Sequence, residues 1–231
     1  MTKSNRDDMK VVVTANGPYS VSGGVPLAIQ TIVPNDAGSW EWNEGRTFLA
    51  NDGYALCRCG HSAAKPFCDG THARIAFDGA ETARRETHDQ GARTYDGPVL
   101  TLEDNEALCA SARFCDVAGG IWKLVGDPDR PDAAELAVRE EHRCPSGRLV
   151  LRNKFKGELI EPNLPCSIGV VEDPAKACSG PLWVRGDILL ESQDGTRYER
   201  RNRITLCRCG ASSNKPFCDG SHVNVAFQDQ L

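Results

Sequence analysis

Two sixteen-residue stretches, Cys57–His72 (CRCGHSAAKPFCDGTH) and Cys207–His222 (CRCGASSNKPFCDGSH), constrain this chain more than any other feature. They agree at twelve positions and differ only at 61/211, 63/213, 64/214 and 71/221. Each reads Cys-x-Cys, eight residues, then Cys-Asp-Gly-Thr/Ser-His. Three thiols and one imidazole so closely spaced form a complete four-ligand set for a soft or borderline metal centre. Chance places such a set once far more easily than twice at one spacing.

The spacing narrows the metal. A Cys-x-Cys pair holds its two sulfurs close together, suited to one iron of a binuclear cluster. Cys68 and His72, on the two sides of a tight Asp69-Gly70 turn, can then hold the other iron. A Cys3His set suits tetrahedral zinc as well, but zinc sites more often bring two separated Cys-x2-Cys knuckles, which neither stretch has. Spacing therefore favours iron–sulfur and leaves zinc open.

The wider pattern Cys-x-Cys-x2-Ser-x3-Pro-x-Cys-Asp-Gly-Ser/Thr-His resembles the CDGSH iron–sulfur family, the mitoNEET-like or NEET proteins. Both copies match: Cys57, Cys59, Ser62, Pro66, Cys68, Asp69, Gly70, Thr71 and His72, then Cys207, Cys209, Ser212, Pro216, Cys218, Asp219, Gly220, Ser221 and His222. The resemblance covers about residues 11–79 and 180–228. It implies one [2Fe–2S] cluster per motif, two in all, held by Cys57, Cys59, Cys68 and His72 and by Cys207, Cys209, Cys218 and His222.

Composition bounds the rest. At 231 residues, 40% of them hydrophobic, the chain can form several domains or one intertwined core. Its net charge of −5, without a basic block, gives no sign of a nucleic-acid partner. The opening MTKSNRDDMK lacks an apolar h-region and no run reaches membrane-spanning length, so a cytoplasmic protein without a membrane is expected. Eleven cysteines then read as ligands or thiols rather than disulfides.

The flanks repeat too. GPYSVSGGVPL (Gly17–Leu27) aligns with GPLWVRGDILL (Gly180–Leu190) at an offset of 163, whereas the motifs are offset by 150, so the first copy holds thirteen extra residues. The polar, turn-rich Pro34–Gly45, with Trp40 and Trp42 on one face, is the simplest place for them as a loop. Residues 1–10 read as a loose tail, with strands at Val11–Val13 and Val25–Val33. Alternation at Leu182/Val184, extension through Ile188–Glu191, an Asp194-Gly195 turn and a return over Tyr198–Leu206 place a β-hairpin before the second motif, and by analogy before the first. After the motifs, His72–Phe77 echoes His222–Phe227: a turn of helix and an apolar anchor. In the resembled family this plan gives a β-cap above a cluster-binding lobe, often with strands exchanged between protomers. Two copies on one chain imply a monomer with an internal pseudo-dimer, because one hairpin cannot bury its own apolar face.

Asp69 and Asp219 either cap the turn that follows and hold the histidine in register or merely serve the turn. Pro66/Pro216 and Gly70/Gly220 shape the loop, and Lys65 and Lys215 read as solvated. His61, matched by Ala211, is a poor ligand candidate, and His88 and His142 read as surface residues.

Between the copies, Cys109-x5-Cys115, then Trp122, a helix after Pro131 with Asp132 and Glu135 as capping pair, and Cys144-Pro-Ser-Gly resemble a divergent single-cluster ferredoxin domain. Ordinary ferredoxins place a ligand where Ala112 stands. Cys109, Cys115 and Cys144 are thus a candidate third centre, of [3Fe–4S] or [4Fe–4S] type; buried packing thiols are the alternative. Glu161–Asp173 reads as a Pro-rich connector, and Cys166 and Cys178 have no evident partner.

The expected architecture is α+β and β-rich: a first repeat at 11–79, a ferredoxin-like insert at 98–173 and a second repeat at 176–231. No triad, phosphate loop or carboxylate pair stands out, so the expected role is electron transfer rather than catalysis, with a redox partner. A cluster carrier serving an apo-acceptor, a redox sensor or a zinc-bound interaction module are the alternatives. One neutral imidazole in place of a thiolate makes the oxidised centre less negative. The potential should therefore lie above the roughly −400 mV of plant-type ferredoxins, toward the Rieske range.

Overall fold

A computed structural model describes residues 8–229; positions 1–7 of the expected tail lie outside the described residues. The chain begins β1 (Lys10–Val13), β2 (Tyr19–Ser22), β3 (Leu27–Pro34), β4 (Trp40–Phe48) and β5 (Gly53–Leu56), then the first motif and the short α1 (Thr71–Arg74). The middle follows as β6 (Arg93–Asp96), β7 (Leu100–Asp104), α2 (Ile121–Gly126), α3 (Ala133–Arg143), β8 (Leu149–Asn153) and β9 (Leu159–Ile160). Last come β10 (Ser167–Asp173), β11 (Cys178–Arg185), β12 (Leu189–Glu191), β13 (Arg203–Leu206), the second motif and α4 (Ser221–Asn224). The fold is α+β and strand-rich.

Three sheets result, ordered β12-β1-β2-β5, β13-β11-β10-β3-β4 and β6-β7-β8-β9. The first two have matching registers. Tyr19 faces Leu56 across β2–β5 as Leu182 faces Leu206 across β11–β13. In β1, Val11 lies beside Leu190 of β12 in a parallel pair, and in β10 Ile168 lies beside Leu27 of β3 in another. Each copy therefore lends a strand to the other copy's sheet. The cause is burial: Val11, Val13, Tyr19 and Val21 join Ile168, Val170, Leu182, Val184, Ile204 and Leu206 in one apolar core. Neither copy has enough apolar face to close such a core alone.

Several local expectations need correcting. The strands entering the motifs, β5 and β13, pair with β2 and β11, not with their nearest neighbours in sequence; the Asp194-Gly195 turn closes only a short Glu191–Arg197 bridge. The thirteen extra residues form a hairpin instead of a loop, β3 pairing with β4 from Leu27↔Phe48 to Pro34↔Trp40. Period-two side chains put Trp40 and Trp42 on one face, where they pack with Phe114, Val171 and Trp183. The Glu161–Asp173 connector contains β10, buried at six of its seven positions, so 167–173 belongs with the second sheet.

The middle segment has its own core of Leu100, Leu102, Ile121, Leu124, Val125, Leu136, Ala137, Leu149 and Leu151. In α3, Ala133, Leu136, Ala137, Glu140 and Glu141 are buried, the i, i+3, i+4, i+7, i+8 face of an amphipathic helix. The expected Asp132 cap bond is absent, because that carboxylate takes Arg130 Nε at 2.8 Å instead. Among the described residues, no helix is long and apolar enough to cross a membrane.

Candidate metal centres

Each motif is a loop hung from its incoming strand. Cys57 N donates to Pro66 O at 2.8 Å and Cys68 N to Ala55 O at 2.9 Å; Cys207 and Cys218 repeat both bonds to Pro216 O and Thr205 O at 2.9 Å each. The buried hydroxyls of Ser62 and Ser212 close the loops, donating to Phe67 O and Phe217 O at 2.7 Å.

The ligand candidates fall into pairs. Cys57 and Cys59 sulfurs are 3.7 Å apart, as are those of Cys207 and Cys209. His72 Nδ1 lies 3.3 Å from Cys68 Sγ, and His222 Nδ1 lies 3.4 Å from Cys218 Sγ. Among the described residues, no three His, Cys, Asp or Glu side chains converge tightly enough for one metal ion.

Asp69 and Asp219 resolve the open choice of roles by bridging the loop and the turn. Asp69 accepts Ala63 N at 2.8 Å and Thr71 N at 2.9 Å; Asp219 accepts Ser213 N at 2.8 Å and Ser221 N at 3.0 Å. These hydrogen bonds hold Asp69 well below the usual carboxylate range. At Asp219 burial pulls upward, but bonds from Ser221 and Ser213 outweigh it and bring the group down to about 2. Gly70 and Gly220, both at φ 84°, let the chain turn into α1 and α4. Lys65 and Lys215, expected in solvent, fold back on Ser62 O at 2.8 Å and Ser212 O at 2.6 Å.

Cys59 and Cys218 resist ionisation. Burial raises Cys59 and, strongly, Cys218. Cys207 and Cys209 share a hydrogen bond that holds the first down and the second up, so the pair keeps a proton between them. Burial, then the Arg208 guanidinium, pushes His222 down to about 4, which keeps the imidazole neutral as a ligand must be.

One pair of residues escaped the sequence reading. Arg58 and Arg208, each between the two cysteines of a Cys-x-Cys, are buried, with 1% and 2% of their surface exposed. Their identity in both copies was the available signal. Phe77 and Phe227 lie under the guanidinium groups at 5.4 and 5.3 Å, the role of the expected apolar anchors.

The motifs touch. A Cβ on Gly60 would sit 2.5 Å from Cys209 O, and one on Gly210 would sit 2.6 Å from Cys59 O. The second motif also meets the middle segment: a Cβ on Gly220 would lie 2.4 Å from Ser111 Oγ and 3.6 Å from Cys109 O. A strap crosses the same loop, with Thr82 N and Ala83 N donating to Lys215 O at 2.8 and 2.9 Å. A Cβ on Gly70 would meet nothing within 4 Å.

Cys109, Cys115 and Cys144 line one small apolar cavity with Ala112, Phe114 and Ser146. Burial and the neighbouring Cys144 and Cys109 push the Cys115 thiol up to about 12. Cys166 donates to Gly186 O at 3.0 Å and Cys178 heads β11; all eleven cysteines are free thiols. His61 sits outside the set, Nδ1 2.7 Å from Cys59 O. His88, read as a surface residue, is buried, its Nε2 2.8 Å from Arg148 O. His142 is half-buried beside Glu141.

The family described as iron-binding zinc finger CDGSH type matches residues 16–73 and 179–223. A divergent 4Fe-4S mono-cluster family matches residues 95–154. No curated protein and no solved structure matches the chain.

Proposed function

From a chain that carries two CDGSH iron-binding regions around a divergent 4Fe-4S mono-cluster domain, we infer an electron-transfer protein without catalytic chemistry of its own. The observation that carries this reading is the contiguous row of sites. Cys59 abuts Gly210, Cys209 abuts Gly60, and Gly220 packs against the backbone of Cys109.

The residues of each motif fit a [2Fe–2S] cluster. Two donor pairs, Cys57/Cys59 with Cys68/His72 and Cys207/Cys209 with Cys218/His222, suit two irons better than one zinc ion. Such a cluster supplies one-electron storage; the protein holds and insulates it. Gly70 N and Gly220 N, each 3.4 Å from the Cys68 or Cys218 sulfur, can donate to a ligand thiolate and stabilise added negative charge. Cys109, Cys115 and Cys144 fit a third centre, [3Fe–4S] or [4Fe–4S], because they line one small apolar cavity.

The reciprocal loan of β3 and β12 supports a pseudo-twofold relation between repeats at 11–79 and 176–231, and hence a monomer that is its own pair. Eleven unpaired thiols and a net charge of −5 are consistent with a reducing cytoplasm and a protein redox partner, without nucleic acid or membrane. Cluster delivery to an apo-acceptor is the second reading, favoured by the open Cys68–His72 edge beside Gly70.

Anaerobic purification with iron, sulfide and zinc counts and visible and EPR spectra tests the reading. Coloured protein with two [2Fe–2S] clusters is expected, and colourless protein with stoichiometric zinc would reject it. For the third centre, a Cys59→Ser/Cys209→Ser protein should retain iron that Cys115→Ser removes.

A further inference from the structure

The two arginines at the motifs occupy matching places with unmatched company. Arg58 Nε donates to Gly17 O at 2.8 Å and Nη2 to Thr14 O at 3.0 Å. Arg208 makes the counterpart bonds to Gly180 O and Val171 O at 2.7 Å each. Beyond these, Arg208 has two carboxylates: Glu172 Oε1 at 2.6 Å from Nη2, and Asp229, an ion pair to Nη1. In the first copy the same places hold Ala15, which follows Thr14 as Glu172 follows Val171, and Gly79, which follows Phe77 by two residues as Asp229 follows Phe227. Arg58 has no ion pair among the described residues; Nη1 of both arginines lacks a hydrogen bond, and only that of Arg208 faces a carboxylate. Only the rings of Tyr19 and Phe77 face it, at 5.6 and 5.4 Å.

An arginine stays charged in a protein, and a charge out of water acts over longer distances than one in it. The first motif thus has a bare positive charge built into its Cys-x-Cys. The second has one flanked by two carboxylates, Glu172 and Asp229. Burial at the histidine acts in the same direction: His222 is 4% exposed and Gly220 buried, whereas His72 is half-buried and Gly70 exposed. Adding an electron makes a cluster more negative, which a nearby cation and solvent favour and a dry, neutral shell does not.

We propose that the two motifs, identical in ligands, hold their clusters at different reduction potentials, the first higher than the second, through the unpaired Arg58 and the Glu172–Arg208–Asp229 ion cluster. This rests on the two-cluster reading. Arg58, Glu172 and Asp229 are tuning residues that touch no substrate. Electrons entering from a one-electron donor protein at the middle or second site would then collect at Cys57–His72, the open edge.

Redox titration followed by EPR tests it, with iron and sulfide counted in every sample. Cys209→Ser protein, retaining the first cluster, should titrate at higher potential than Cys59→Ser protein. An electron-partition ratio of at least tenfold is expected, about 59 mV for a one-electron centre. In the full chain, Glu172→Gln should raise the lower step and leave the upper one in place, and Asp229→Asn should raise the lower step. Arg58→Gln should lower the upper step. Two loaded clusters with equal potentials, a reversed order, or an unmoved lower step in loaded Asp229→Asn protein would overturn the proposal and leave the two-cluster reading intact. Protein devoid of iron and sulfide would overturn both.

Discussion

The two sixteen-residue motifs share their ligand spacing and differ in their walls. The second is covered by Ser111 and Cys109 at Gly220, by the Thr82–Ala83 strap at Lys215, and by Asn214 Nδ2 donating to Ala107 O at 2.8 Å. In the first, a Cβ on Gly70 would meet nothing within 4 Å. Tyr19 deepens the contrast. Its buried hydroxyl donates toward Cys207 O at 2.7 Å and Pro216 O at 3.0 Å, reaching across copies to brace the second loop. Its counterpart Leu182 is apolar and braces nothing of the kind. Duplicated chemistry thus lies in unequal surroundings: one site faces outward and the other faces the middle segment. A duplicated motif is therefore no evidence for a duplicated role.

The wall between the motifs offers the most severe way to break the comparison. Gly60→Ala drives a Cβ onto Cys209 O at a left-handed residue (φ 80°). A loss of more than about 3 kcal/mol in denaturant unfolding is expected, with both sites affected together. Loss confined to the first site would contradict a shared wall.

A matched pair sharpens it. Gly70→Ala and Gly220→Ala carry the same backbone strain at φ 84°, but only the second meets Ser111 Oγ, at 2.4 Å. Gly70→Ala should cost about 1 kcal/mol and Gly220→Ala about 1–3 kcal/mol more. Equal chevron or melt shifts would show that the middle segment does not press on the second motif. Tyr19→Phe ranks next, at about 1 kcal/mol for the lost bonds. Its iron release to a chelator should quicken from the second site and not from the first, and equal quickening would refute the cross-copy brace.

How much of this was legible beforehand depends on whether a residue's role is local. Cys57, Cys59, Cys68 and His72 announce themselves because three thiols and an imidazole fall within sixteen residues. The strand exchange does not, because β1–β12 and β3–β10 pair residues more than a hundred positions apart and any alternating run could have served. Trp40 and Trp42 looked like loop residues because their partners Phe114 and Trp183 come from other elements. Arg58 and Arg208 were readable as identities, but the difference between them resides in Ala15, Gly79, Glu172 and Asp229, which only the packed chain brings to the guanidinium. His88 was misplaced for the same reason: the residues that bury it, Glu199 and Arg148, are distant in sequence.

The smallest expected effect lies at that seam, which ties the strap to the segment covering the second motif. Burial, then Arg201, lowers the His88 pKa, only partly offset by the Arg148 carbonyl, Glu103 and Glu199. The folded imidazole therefore stays neutral where the unfolded one binds a proton. Its contribution to stability is present above the ordinary histidine value of about 6.5 and is lost as pH falls below it. Urea midpoints should drop between neutral and mildly acidic pH, and His88→Gln should flatten that slope. An unchanged slope in the variant would place the titration elsewhere.

The central claim, one cluster per motif with a single histidine ligand each, is tested most directly by pulsed EPR on reduced protein carrying nitrogen-15 only in histidine. Cys209→Ser protein should show one strongly coupled imidazole nitrogen that His72→Cys abolishes. Cys59→Ser protein should show one that His222→Cys abolishes. A reduced cluster signal without a coupled histidine nitrogen in either protein would contradict the account.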